Sequence, residues 1–180
     1  MQRLLLVFSF LVIFFTAAAQ KYKPVDEGSK VHFTIKNFGI STGGDLAGLN
    51  GDINFIPANV AACNFNVSVD VKTIDTDNGN RDGHLKGKEY FDSEKFPVIT
   101  IKSTKVNKTN KPNWYYFTGT LTMHGVTKNI AFPFTATPKG NDLLFAGSFE
   151  LNRLDYGVGS SSAVLSNTVK VSLSVLAKKS

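Results

Sequence analysis

Alternation with a period of two constrains this chain more than any other feature. Val31, Phe33 and Ile35 alternate with His32, Thr34 and Lys36, and seven further segments repeat the pattern. They carry Leu49, Gly51, Ile53 and Phe55; Cys63, Phe65, Val67, Val69 and Val71; Ile99 and Ile101; Tyr115, Phe117, Gly119, Leu121 and Met123; Ile130, Phe132 and Phe134; Leu143, Phe145, Gly147, Phe149 and Leu151; and Val169, Val171, Leu173, Val175 and Ala177. Successive side chains of a strand point to opposite faces, so each set shares one face, and none of its members is charged. Eight such strands specify an antiparallel sheet with an apolar inner face and a wet outer one. A two-sheet sandwich and a closed barrel both satisfy this, and an eight-stranded barrel is either filled by side chains or holds one small ligand.

Three details favour an open interior. Gly51, Gly119 and Gly147 stand at inward positions where a packed core wants bulk, although a glycine also permits a bend at a barrel corner. The inward set is otherwise Phe, Val, Ile and Leu, with no polar cluster. Two connections are long: Thr73 to Phe96 and Asn152 to Ser166. Segments of that length hold a helix or serve as a lid. The first contains RDGHLKGKEYFD, which predicts a short helix with Asp82 as N-cap and Leu85 and Phe91 as apolar anchors. The expected cavity lining is Phe33, Ile35, Ile53, Phe55, Phe65, Val67, Val69, Ile99, Ile101, Phe117, Gly119, Leu121, Phe132, Phe134, Phe145, Gly147, Phe149, Val171 and Leu173.

The start of the chain reads differently. Met1-Gln2-Arg3 is basic, Leu4 to Phe15 is apolar except for Ser9, and Ala17-Ala18-Ala19 offers small residues for cleavage, so residues 1–19 are expected to be a secretory signal and 20–180 the barrel domain. The apolar run is too short for a transmembrane anchor. Export to the periplasm or medium follows. Cys63 has no partner for an internal disulfide, and its parity with Phe65 makes it a small buried side chain.

Chemistry is sparse. The three histidines, His32, His84 and His124, fall in no metal-binding spacing, so no metal is expected. His32 lies on an outward face, and His124 precedes Gly125 in an expected hairpin turn. No GxSxG elbow or phosphate-binding loop is present. A hydrolase would have to use His84 with Asp82 or Asp92. The net charge of +6 comes from scattered lysines without aromatic platforms, which argues against nucleic acid and leaves a transient contact with anionic membrane surfaces open.

The run VSVDVKTIDTDNGNRDGHLKGKEYFDSEKFPVITIKSTKV, together with GTLTMHGVTKNI and ELNRLDYGVG, resembles the YceI-like polyisoprenoid-binding family from Gly28 to Lys178. TIDT, RDxHL, YFD and FPVI occur in family order. The resemblance implies an eight-stranded antiparallel lipocalin-like barrel, with a short helix between strands 3 and 4, that encloses a polyisoprenoid chain. It implies a non-enzymatic lipid carrier or store, without cofactor beyond the bound lipid. It places Arg81, Asp82, His84 and Leu85 on the connecting helix near the cavity, Phe91 and Phe96 on its return to the sheet, and Arg153, Asp155 and Gly157 in the second long loop. Gly87 stands where the family often has Ser. The charged loop residues either meet a head group or brace the loops, and both readings stay open, as does a homodimer. A packed structural barrel without ligand is the other alternative to the carrier.

Overall fold

Each alternating segment forms a strand in the computed structural model, which describes residues 20–180; the expected signal, residues 1–19, lies outside the described residues. In chain order the strands are β1 (Lys21–Asn37), β2 (Ile40–Asn54), β3 (Asn64–Asp75), β4 (Val98–Lys108), β5 (Trp114–Met123), β6 (Val126–Lys139), β7 (Asp142–Asn152) and β8 (Leu165–Lys179). Every strand is antiparallel to its neighbours, and β8 returns to β1 to close a barrel. Closure removes the unpaired edges that a sandwich would retain. One helix, α1 (Gly79–Lys86), and two short 3-10 turns, Val60–Ala62 and Arg153–Tyr156, complete the described elements.

Several strands extend beyond their alternation because bulges interrupt it. β1 begins at Lys21, and its register against β8 shifts between Val25 and Lys30, where Gly28 has φ 77°. β4 shifts register between Ser103 and Lys105, which reverses the parity and buries Val106. β3 runs on to Asp75, so the first long connection begins at Thr76 rather than Thr73.

Two of the three inward glycines are points of close backbone approach. A Cβ on Gly51 would lie 2.0 Å from the Asn66 carbonyl oxygen, and one on Gly119 would lie 2.2 Å from that of Lys102. The neighbouring backbone fills the space that a side chain needs. Gly147 alone of the three borders open space in the barrel.

The helix starts differently from expectation. Asn78 is its N-cap, accepting a hydrogen bond from Arg81 N at 3.0 Å. Asp82 sits in the first turn and reaches back to accept from Thr76 N (3.0 Å) and the Thr76 hydroxyl.

The outer face is wet, with exposed Asp52, Lys102, Lys128, Glu150 and Lys170. A barrel that spans a bilayer presents an apolar band there instead. Inside, the side chains divide by height. Tyr22, Phe55, Phe65, Tyr115, Phe134 and Phe145 fill the end where β1, β3, β5 and β7 begin. The opposite end is capped by the two long connections.

Candidate functional site: an apolar cavity beneath two long loops

The aromatic end is a floor. Phe55 is fully buried and meets Tyr115 and Phe145 edge to face at centroid distances of 5.0 and 5.2 Å; Phe65 meets Phe134 and Phe145 at 5.5 and 5.3 Å. Edge-to-face geometry suits the ring quadrupole. Cys63 packs beside this floor, and burial pushes its thiol pKa up, as it does the Tyr115 phenol. The fully packed ring stack leaves Phe55 no face toward open space.

Above the floor the facing walls do not meet. A cavity of about 380 Å³ extends to the loop end, with an almost wholly hydrocarbon lining. Seventeen of the expected lining residues border it: Phe33, Ile35, Ile53, Phe65, Val67, Val69, Ile99, Ile101, Phe117, Leu121, Phe132, Phe134, Phe145, Gly147, Phe149, Val171 and Leu173. Phe55 and Gly119 do not. Phe55 is absorbed into the floor, and Gly119 is pressed against β4. The lining also takes in Leu46, Tyr90, Val158 and Leu165. Leu46 escaped the periodicity because β2 shifts register between Asp45 and Asn50. Tyr90 and Val158 lie in connections, where no period reveals which side chains turn inward.

The mouth is roofed by the two long connections. Arg81, His84, Leu85 and Phe91 of the first border the cavity, as does Arg153 of the second. Phe96, Asp155 and Gly157 do not. Phe96 packs edge to face on His124 at 5.0 Å beneath the β5–β6 turn. Asp155 is exposed, and Gly157 ends the second 3-10 turn with φ 68°. Asp82 is held at Thr76, as described above.

His124 does serve its turn: it has φ 50°, and its Nδ1 lies 3.1 Å from the Tyr156 carbonyl oxygen. His32 is half-buried rather than free in solvent, because its Nδ1 sits 2.6 Å from Asp45 Oδ1 on β2. Its outward position is thus used for a cross-strand pair.

Bracing is the visible work of the two arginines. Arg153, 3 % exposed, donates from Nε to Ser166 O (3.0 Å), from Nη1 to Val158 O (2.8 Å), and from Nη2 to Ser160 O (2.7 Å) and Asn167 Oδ1 (3.3 Å). The second loop is wrapped around this side chain. Arg81 donates from Nε to the Thr76 hydroxyl at 2.8 Å and from Nη2 to the Thr76 carbonyl. The loops are joined by Gly159 N, which donates to Glu89 O at 2.9 Å. Burial and then the Asp155 charge raise the Tyr156 phenol pKa under this roof.

The hydrolytic dyad is not assembled. Asp82 is engaged by Thr76, and the carboxylate that approaches His84 is Glu89, at 3.9 Å. The His84 ring packs on Tyr90, with centroids 4.9 Å apart.

A family model described as the YceI-like domain matches residues 22–177. The chain belongs to the YceI-like family. A UPF0312 protein of Yersinia pestis is 36% identical to it over 130 residues, covering 71% of this chain and 67% of the relative. Among solved structures, BcnA of Burkholderia cenocepacia superposes with a TM-score of 0.78 at 24% identity, over 82% of this chain and 95% of its own. A polyisoprenoid binding domain from Saccharophagus degradans, implicated in plant cell wall breakdown, gives 0.72 at 15% identity over 88% and 98%. These structures share the YceI-like barrel fold with the present chain.

Proposed function

We propose that this YceI-like protein encloses the hydrocarbon chain of a polyisoprenoid lipid, and carries or stores it in the periplasm or outside the cell. The observation that carries the reading is the cavity itself: hydrocarbon on all sides, aromatic at the floor, with its only charged neighbours at the mouth among the described residues. The polyisoprenoid binding domain of Saccharophagus degradans, which shares the fold, supports the choice of chain. The basic start, apolar run and small residues of positions 1–19 support export.

The driving force is removal of the chain from water. Each enclosed carbon contributes on the order of 0.8 kcal/mol, so about ten carbons correspond to roughly 8 kcal/mol, or micromolar affinity before ordering costs. No polar group inside the cavity favours one head group over another. Selection therefore acts on chain length and shape within, and on the head group only near Arg81, His84, Tyr90 and Arg153. The arrangement calls for binding rather than chemistry.

The test is mass spectrometry of protein gently purified from its own source. An isoprenoid lipid should co-purify at near stoichiometry. Repeated preparations that are lipid-free, or that carry only straight acyl chains, would overturn the reading.

A further inference from the structure

The β1–β2 hairpin presents Phe38 and Ile40 to solvent, 73% and 70% exposed, while most of the outer face is polar. Phe38 N donates to Val164 O at 2.9 Å, so exposed Val164 of the second loop lies against the same tip. Ile35, Asn37, Thr42 and Leu165, immediately beside these residues, border the cavity. The apolar tip is thus continuous with the cavity mouth.

Local structure gives no reason for a phenylalanine here. Phe38 and Gly39 have φ 50° and 77°, a two-residue hairpin turn whose first position favours Asn, Asp or Gly. His124 occupies the equivalent position of the β5–β6 turn, and there the ring packs on Phe96. Phe38 accepts the same backbone conformation and remains in water. Residues 33–44 and 163–173, the strand ends and loop that meet at this tip, contain Lys36 and Lys170 and no acidic residue; Asp45 and Asp75 come next along β2 and β3, and Asp45 is engaged by Lys30 and His32. Lys170 stands across from Glu150, whereas Lys36 makes no ion pair among the described residues.

We propose that this tip docks the protein on an anionic lipid bilayer, inserting Phe38, Ile40 and Val164 at the headgroup boundary while Lys36 faces the lipid charge. Exposed apolar side chains rimmed by a cation are what such a surface binds. Docking would let a lipid chain pass between membrane and cavity without crossing water. The proposal rests on the lipid-binding reading for its purpose, but not for its measurement.

The experiment is flotation of the purified protein with vesicles of phosphatidylcholine containing phosphatidylglycerol. Phe38→Asn suits the turn, so it should leave thermal stability unchanged or raised while weakening vesicle binding several-fold; adding Ile40→Asp should bring the loss to about ten-fold or more. Trp114→Ser, at the opposite end, should bind as the unaltered protein does. Equal flotation of all variants would overturn docking. So would a dimer in light scattering that buries the tip and that Ile40→Asp dissolves, together with no flotation. Uptake of a fluorescent geranylgeraniol analogue, measured without vesicles, separates the two ideas. Normal uptake with failed flotation removes docking alone, while absent uptake with intact flotation removes the carrier reading alone.

Discussion

At one end of the barrel the inward side chains meet; at the other they stand apart. The floor is built from rings that reach the barrel axis, and Phe55, Phe65, Phe134 and Phe145 are each 8% exposed or less. Around the cavity the same parity is occupied by Ile35, Val67, Ile99, Val169, Val171 and Leu173, with Phe33 and Phe149 flanking Val171, and all of these are only half-buried although they point inward. An eight-stranded interior can be filled by side chains or left open, and at this height the inward side chains leave it open. Packing and open space are therefore divided along the axis: the floor is filled by rings, and the loop end is left open.

Changes at the two ends should separate these roles. Phe55→Ala is expected to cost about 3–5 kcal/mol in denaturant unfolding, the range for truncating a fully packed aromatic. Val171→Ala, at a wall already facing space, should cost about 1 kcal/mol or less, because little new cavity is created. Equal losses would dissolve the distinction between floor and cavity.

The roof is the next element to test. Arg153→Met removes donors from three carbonyls and an Asn side chain, and should cost about 1–3 kcal/mol for the buried acceptors left unpaired. Proteolysis of residues 157–166 should accelerate accordingly. Unchanged loop protection would show that the roof is held by Tyr156 and Val158 packing instead.

The glycines give a third comparison. Gly119→Ala forces a Cβ against the β4 backbone and should cost about 1–3 kcal/mol. Gly147→Ala meets its neighbours at 3.1 Å or beyond and should cost less in the same unfolding assay, while Gly147→Leu should obstruct uptake of a prenyl probe.

The smallest effect concerns alkaline pH. Burial is the leading cause of the raised pKa at Tyr22, Tyr115, Tyr156 and Cys63. Each folded group holds its proton more tightly than the unfolded one, so its stabilisation is complete below the unfolded pKa and is lost as pH rises through the folded value. The urea midpoint should fall progressively above about pH 9, near the ordinary thiol pKa. Cys63→Ala and Tyr115→Phe should flatten that decline at the floor, and Tyr156→Phe at the roof. A midpoint independent of pH would mean that these groups have the same pKa in the folded and unfolded chain.

Much of the barrel was legible because a strand has a strict period. Phe117, Phe132 and Phe145 could be assigned to the interior from their parity alone. Bulges mark where that legibility stops: Val106 and Leu46 change face after a register shift, and an inserted residue leaves no mark in the alternation. The loops were less legible still. Arg153 and Asp82 were identifiable as residues of interest, yet their partners are carbonyls and a hydroxyl brought close only by the folded chain.

By itself, the sequence determined that eight strands would hide one apolar face, because alternation is a local property of extended backbone. Tertiary structure alone decided which inward side chains touch. That depends on height along the axis and on reach across the barrel, so Phe55 became floor, Gly119 a close contact with β4 and Val171 the wall of an open cavity.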